Sequence, residues 1–258
     1  MYDLAENSIP FLQLGQLLQR ADILTQYVEP AIARQHQQNP WFTPQFCHAA
    51  IHDISRLLTE NSLNSLISNA RNCCHGKTIA VVPAGDIPLQ CFPTFLHILL
   101  SGNQFVCKLS THDNILLPVI ANLLFQIKPT WKDRIFFVQK ISNCDAIIAD
   151  IDEDQRTAFE SYFKEKPHLL RIQHSRTAIL TGYESRQELT GIANDIYRYF
   201  GKGPQAIKKL LVPSNYNFIP LLNIVNKVSQ PIANHNQFLN NLEYQKAVHL
   251  INKRFYMD

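Results

Sequence analysis

From Lys77 onward the chain alternates short β-branched and aromatic runs with longer amphipathic ones. This alternation constrains the fold more than any other feature. "KTIAVVP" reads as a buried parallel strand. A helix is expected over roughly 90–101, with Gly102 suited to its C-terminal cap, followed by a strand at "QFVCKL". A second helix is expected over 113–127, with Pro118 early in it and either Ser110 or Asp113 as its cap. "RIFFV" and "CDAIIA" are further strands, and 153–164 a further helix. Strands near 78–83, 104–109, 134–138 and 145–149 should thus lie parallel in one sheet, with helices on both faces and right-handed crossovers. "TAILTG" and "KKLLV" continue the strand pattern. The 184–200 stretch reads as a helix with Leu189, Ile192, Ile196 and Phe200 on its core face, and helices follow near 218–228 and 236–252.

Residues 1–75 are read as a helical segment. Leu17, Leu18, Ala21, Leu24 and Val28 fall at helical spacing. Thr43 and Pro44 form an N-cap and first-turn pair, after which Phe46, Ala50, Ile54, Leu57 and Leu58 line one face. The expected division is 1–75 helical, then two α/β lobes over 76–170 and 171–258, with the boundary between lobes near 165–180.

Composition excludes several classes. With 46% hydrophobic and 17% charged residues, the chain has material for a sizeable core and is not a disordered sequence. A net charge of +3 without a Lys/Arg stripe argues against nucleic acid as a partner. The longest apolar run, "IPLQCFPTFLHILLSG", holds two prolines, a Gln and a His, so no membrane span is expected. The N-terminus lacks the pattern of a signal peptide. The six cysteines include no Cys-x-x-Cys, and His75 beside Cys74 lacks a second ligand cluster, so no metal is expected and the thiols read as reduced, in a cytoplasmic protein.

Chemistry is expected at the C-terminal ends of the strands. "VVPAGDIPL" carries a strand into a Pro- and Gly-bearing loop that could surround a small ligand with backbone donors. Lys108 lies at the next strand end, where an ammonium can meet ribose or phosphate oxygens. In "AIIADIDEDQRTAF", Asp150, Asp152, Glu153 and Asp154 crowd the start of a helix, where they suit the positive end of its dipole and repel an anion. A cation site made of these acids lacks the calcium-loop pattern. Finally, "FGKGPQAIKKL" places Pro204, which has neither a nucleophilic atom nor an N–H, after a Gly-x-Gly turn.

The pieces "NPWFTP", "VVPAGDIPL", "LLSGNQFVCKLSTHDNILLP", "CDAIIA", "RTAILTG", "DIYRYFGKG" and "NHNQFLNNLEYQKAVHLIN", in this order and spacing, resemble the bacterial acyl-CoA reductases, the long-chain fatty acid reductases of the aldehyde dehydrogenase superfamily. The resemblance implies an α/β, aldehyde dehydrogenase-like fold. A Rossmann-like parallel sheet lobe would be joined by a second α/β lobe, C-terminally shortened here because the chain ends at "NKRFYMD". It also implies NADPH-dependent reduction of a fatty acyl-CoA thioester to the aldehyde, through an acyl-cysteine and hydride transfer. Carried over by position, Lys108 corresponds to the lysine for the adenosine ribose or its phosphate, with Ser110 and Thr111 as neighbouring small polar residues.

Other positions depart from the pattern. Asp86 stands where the family has an oxyanion-donating Asn, and "DID" (Asp150 to Asp152) stands for a Thr-Gly-Ser phosphate turn. Pro204 stands for the nucleophilic Cys, and no cysteine follows residue 144; Cys91 reads as a packed helix residue. Two functions follow from the resemblance. One is a reductase-like binding or assembly protein with impaired catalysis, partnered by fatty acyl-CoA or an acyl-transferring protein. The other is an active reductase with a rebuilt site. Oligomeric state is left open.

Overall fold

In the computed structural model, residues 4–69, 75–172, 176–230 and 232–252 are described. Two compact units divide the chain, Met1–Gln173 and His174–Asp258. Cys73 and Cys74 lie outside the described residues.

The first unit opens with helices α1 (Leu4–Leu17), α2 (Ala21–Ile23), α3 (Glu29–Gln38), α4 (Pro44–Leu57) and α5 (Glu60–Asn69), a π-helical turn at Leu24–Val28 linking α2 to α3. Helix α4 starts as expected: the Thr43 side chain accepts from the Phe46 N–H, and Pro44 occupies the first turn. The sheet then follows, with β1 (Thr78–Val82), α6 (Phe92–Leu100), β2 (Gln104–Cys107), α7 (Leu116–Ile127), β3 (Ile135–Phe137), β4 (Ala146–Ile151), α8 (Arg156–Phe163) and β5 (His168–Ile172). Gly102 ends the α6 connection at φ 80°.

The five strands are parallel, in the order β3-β2-β1-β4-β5. This order reverses direction between β1 and β4, so the topological switch point, where such sheets bind ligands, lies at the C-terminal ends of these two strands. Register puts Ile79, Val81, Phe105, Cys107, Ile135, Phe137 and Ile148 on one face. That face joins α6, α7 and the N-terminal helices in a single core. The Trp131 ring meets Phe11 of α1 at 5.0 Å, Phe11 meets Phe95 of α6 at 6.2 Å, and Phe95 meets Phe105 of β2 at 5.0 Å. Helices α1–α5 thus share the sheet's core. The other face carries Ala80, Val82, Ile147 and Ala149, and α8 borders it.

Helix α7 begins at Leu116, three residues later than expected, and its N-cap residue Ile115 makes no side-chain cap. Neither Ser110 nor Asp113 serves as the cap. The Ser110 Oγ accepts from the His112 N–H, and Asp113 is committed to another loop.

The second unit has a two-stranded parallel sheet, β6 (Arg176–Ile179) with β7 (Ile207–Leu211), and helices α9 (Arg186–Tyr197), α10 (Ile219–Ser229) and α11 (Asn236–Ile251). Ser185 and Glu188 form a reciprocal capping box at the start of α9. The core is small: Leu180, Leu189 and Leu221, with Ile192, Leu210 and Ile224 against them. Helix α9 does not run to Phe200. It stops at Tyr197, because Tyr199 and Phe200 adopt left-handed backbone at φ 52° and 57°. The Phe200 ring then packs on His235 at 4.6 Å and on Phe238 at 5.5 Å, contacts a continued helix would not deliver from this position.

Candidate functional site

The loop after β1 is built on a close approach. Gly85 has φ +74°, and a Cβ there would lie 2.5 Å from the Ser110 Cβ and 2.7 Å from its Oγ. Only glycine fits, for conformation and for space alike. The Lys108 N–H donates to the Val81 carbonyl at 3.0 Å, so the ends of β1 and β2 emerge together. Asp86 is exposed at the loop tip, and its N–H donates to Gln90 Oε1 at 2.9 Å. The fold therefore brings Asp86, Lys108 and Ser110 to one end of the sheet. The ionised Asp86 side chain offers acceptor oxygens and no donor, and its N–H is already taken by Gln90.

Below this loop is a cleft of about 330 Å³ between α8 and the sheet, lined by Val82, Lys108, Lys140, Ile141, Ala158, Phe159, Tyr162 and Phe163. Its walls are apolar and aromatic, and two exposed ammonium groups border it. Such a slot suits a flat heteroaromatic ring bearing an anionic substituent. Lys140 and Phe159 carried no sequence signal of their own. Lys140 reaches the cleft because the connection from the end of β3 back to the start of β4 passes over the sheet face that α8 borders, which only the strand order reveals.

The acidic stretch divides differently from the expectation of four carboxylates at one helix start. Asp150 belongs to β4, its side chain is 6% exposed, and it accepts from Arg171 Nε at 2.7 Å. Register is the reason: Asp150 pairs with Arg171 of β5, so the two side chains share one face. Asp152, Glu153 and Asp154 remain at the turn. Asp152 caps a short 3-10 turn (Glu153–Gln155) through a capping box, and its own N–H donates to Gln155 Oε1 at 3.3 Å. Glu153 pairs with Arg156 at 3.3 Å. The Asp152 N–H at this turn is thus engaged by the chain's own Gln155 side chain, beside three acids that would repel a phosphate.

Pro204 lies in the second unit, on an exposed turn between α9 and β7. Gly201 and Gly203 precede it at φ 69° and 86°, and the Ala206 N–H donates to the Gly203 carbonyl at 3.3 Å. The turn presents no thiol. Of the described cysteines, Cys47, Cys91 and Cys107 are buried and Cys144 is half-buried. Burial pushes the Cys47 thiol up to about 12, and the Cys107 thiol beside Cys91, together with burial, holds the Cys91 thiol well above the ordinary range. Neither is a nucleophile at neutral pH. Among the described residues no group of three His, Cys, Asp or Glu side chains could hold a metal ion, and no helix is long and apolar enough to cross a membrane.

No protein-family model matches the chain, and no curated protein matches it. Solved structures do. An NAD-dependent benzaldehyde dehydrogenase from Corynebacterium glutamicum is similar at TM-score 0.62 and 10% identity, over 89% of this chain and 55% of that one. A methylmalonate-semialdehyde dehydrogenase from Oceanimonas doudoroffii is similar at TM-score 0.60 and 12% identity, over 89% and 51%. A propionaldehyde dehydrogenase from Rhodopseudomonas palustris, solved with bound propionyl-CoA, is similar at TM-score 0.56 and 11% identity, over 88% and 54%. The chain spans about half the length of these structures. Together with the parallel sheet and its switch point, the likeness establishes the fold as aldehyde dehydrogenase-like.

Proposed function

We propose that this chain is an acyl-CoA reductase-like protein of the aldehyde dehydrogenase fold that binds an adenine nucleotide or acyl-CoA without carrying out the reduction. The observation that carries this reading is the turn at Pro204. The position corresponding to the family's nucleophile has no thiol and no N–H, and the chain has no cysteine beyond residue 144. Asp86 adds a second loss, since a carboxylate cannot donate to an oxyanion and removal of one such donor commonly costs about 10²–10³ in rate. The cleft beside Lys108 and Lys140 supports retained binding: its apolar walls suit adenine and its two ammonium groups suit a phosphate on the ribose. The propionyl-CoA seen in the Rhodopseudomonas enzyme and the NAD dependence of the Corynebacterium one are consistent with either ligand class on this fold. NADPH, when bound, would supply hydride. In this chain Lys108 and Lys140 would hold its adenosine end, while Asp152, Glu153 and Asp154 oppose its pyrophosphate.

Titration with NADPH and with coenzyme A tests the binding half. Coenzyme A is expected to bind, NADPH weakly, and Lys108→Ala to lower coenzyme A affinity about tenfold, as loss of one charge-assisted contact does. Incubation with a fatty acyl-CoA, followed by peptide mass mapping, is expected to show no acyl adduct within residues 200–210. NADPH-dependent release of aldehyde by the unmodified protein refutes this reading and establishes the active alternative.

A further inference from the structure

One buried side chain holds the loop after β1 and has no part in the chemistry described above. Asp113, in the connection before α7, is 5% exposed and accepts the Leu89 N–H at Oδ2 over 2.9 Å. The next N–H, that of Gln90, donates to the Ile87 carbonyl at 3.3 Å and closes the turn that Leu89 belongs to. Leu89 sits at φ 58°, a conformation a leucine keeps only when its surroundings enforce it. Gln90 passes the constraint on, because its Oε1 accepts the Asp86 N–H. Asp113 Oδ1 is buried without a hydrogen-bond partner, so the carboxylate spends its capacity on this loop alone.

We propose that Asp113 is the positioning residue of the 83–91 loop: through Leu89 and Gln90 its carboxylate sets where Asp86 stands, and its ionised form holds the loop more firmly than its protonated form. The inference rests on the site assignment above for its functional meaning, and on the hydrogen bonds alone for its physics. Burial pushes the Asp113 carboxyl up to about 7, against the opposing pull of the Leu89 and Gln90 backbone amides, which places its ionisation in the neutral range. The titratable groups facing it are thiols, Cys47 on α4 and Cys91 before α6; Cys107 of β2 and Asp150 of β4 act in turn on Cys91. Among the described residues, none of the ion pairs includes Asp113. Protonation turns a charge-assisted hydrogen bond from the Leu89 N–H into a neutral one and leaves an O–H at a buried oxygen without an acceptor.

The test follows the Leu89 and Gln90 amides and the Asp113 carboxyl carbon by NMR in the full chain, from about pH 5.5 to 8.5, a window that brackets a neutral-range carboxyl. The three signals are expected to titrate together. In Asp113→Asn, which keeps an acceptor oxygen, the amide titration is expected to vanish while both amides stay protected. In Asp113→Ala the exchange of the Leu89 amide is expected to rise about tenfold relative to the β1 amides, the effect of losing roughly one hydrogen bond. If the Ala variant does not fold, the Asn variant decides. Amides that do not titrate, or that titrate unchanged in Asp113→Asn, overturn the inference. A coenzyme A titration in parallel keeps the two readings apart: absent binding in the unmodified protein refutes the nucleotide site and leaves the amide result standing.

Discussion

A buried carboxylate with a raised pKa has a calculable thermodynamic signature. For Asp113 the folded value of about 7 lies above the ordinary 3.8, so the folded state binds its proton more tightly than the unfolded one. Its contribution to stability is full below about pH 4 and is lost as pH rises toward 7, by at most about 4 kcal/mol at 1.36 kcal/mol per unit. Locally the loop is held better when the group is charged; globally the fold is more stable when it is neutral. Thermal unfolding of Asp113→Asn beside the parent is expected to show a smaller fall in midpoint between about pH 5 and pH 8, because the variant removes this one titration. A parent and variant falling in parallel would exclude Asp113 as the source. Gly85 is the other residue with a sharp expectation. Alanine there would need φ +74° and would meet Ser110 at 2.5 Å, so Gly85→Ala should lower unfolding free energy by about 2 kcal/mol or more, read by denaturant titration.

At the scale of elements, the junction of β4 with α8 determines what the site can hold. The strand end is stabilised by an ion pair across the β4–β5 register, with Asp150 nearly buried and Arg171 41% exposed. Removing only the arginine leaves a buried carboxylate unpaired. Arg171→Ala is therefore expected to cost about 3 kcal/mol, and the double variant Asp150→Ala/Arg171→Ala less than that, since the stranded charge is gone. Equal losses in the two would show that the pair is incidental. The turn that follows is closed by its own capping box, with three carboxylates gathered at it. Elsewhere capping acts as expected: Thr43→Ala should destabilise α4 by about 1 kcal/mol.

For the molecule as a whole, the two units differ in how much core they own. The first joins α1–α7 and the sheet through Phe11, Phe95, Phe105 and Trp131, all fully buried. The second has three buried residues at the centre of its cluster, while Ile179 and Ile219 stand 76% and 65% exposed. A two-stranded sheet with so small a core is marginal by itself. A fragment covering 1–172 is expected to unfold cooperatively on heating, and one covering 176–252 to show no cooperative transition. Cooperative melting of the second fragment would show that its few buried contacts suffice.

Much of the fold was legible in the chain because periodicity is a local property. The runs at 78–82, 104–107, 135–137 and 146–151 became parallel strands, and helices α6, α8, α10 and α11 lie close to where apolar spacing put them. Thr43 with Pro44 and Gly102 are short-range signals whose meaning needs no partner. Where the sequence reading failed, the deciding interaction was distant. Asp113 looked like a helix cap and instead serves a loop 24 residues away; Asp150 looked like part of an acidic turn and is paired 21 residues on. Phe200 leaves the helix pattern, and its ring meets His235 and Phe238 instead. The sequence alone determined that position 204 is a proline, that no cysteine follows residue 144 and that strands alternate with helices. Only the tertiary structure decided which charges are neutralised, which N–H groups are spent and where a cleft opens. Those depend on strand register and burial, and both are set by contacts between residues far apart in the chain.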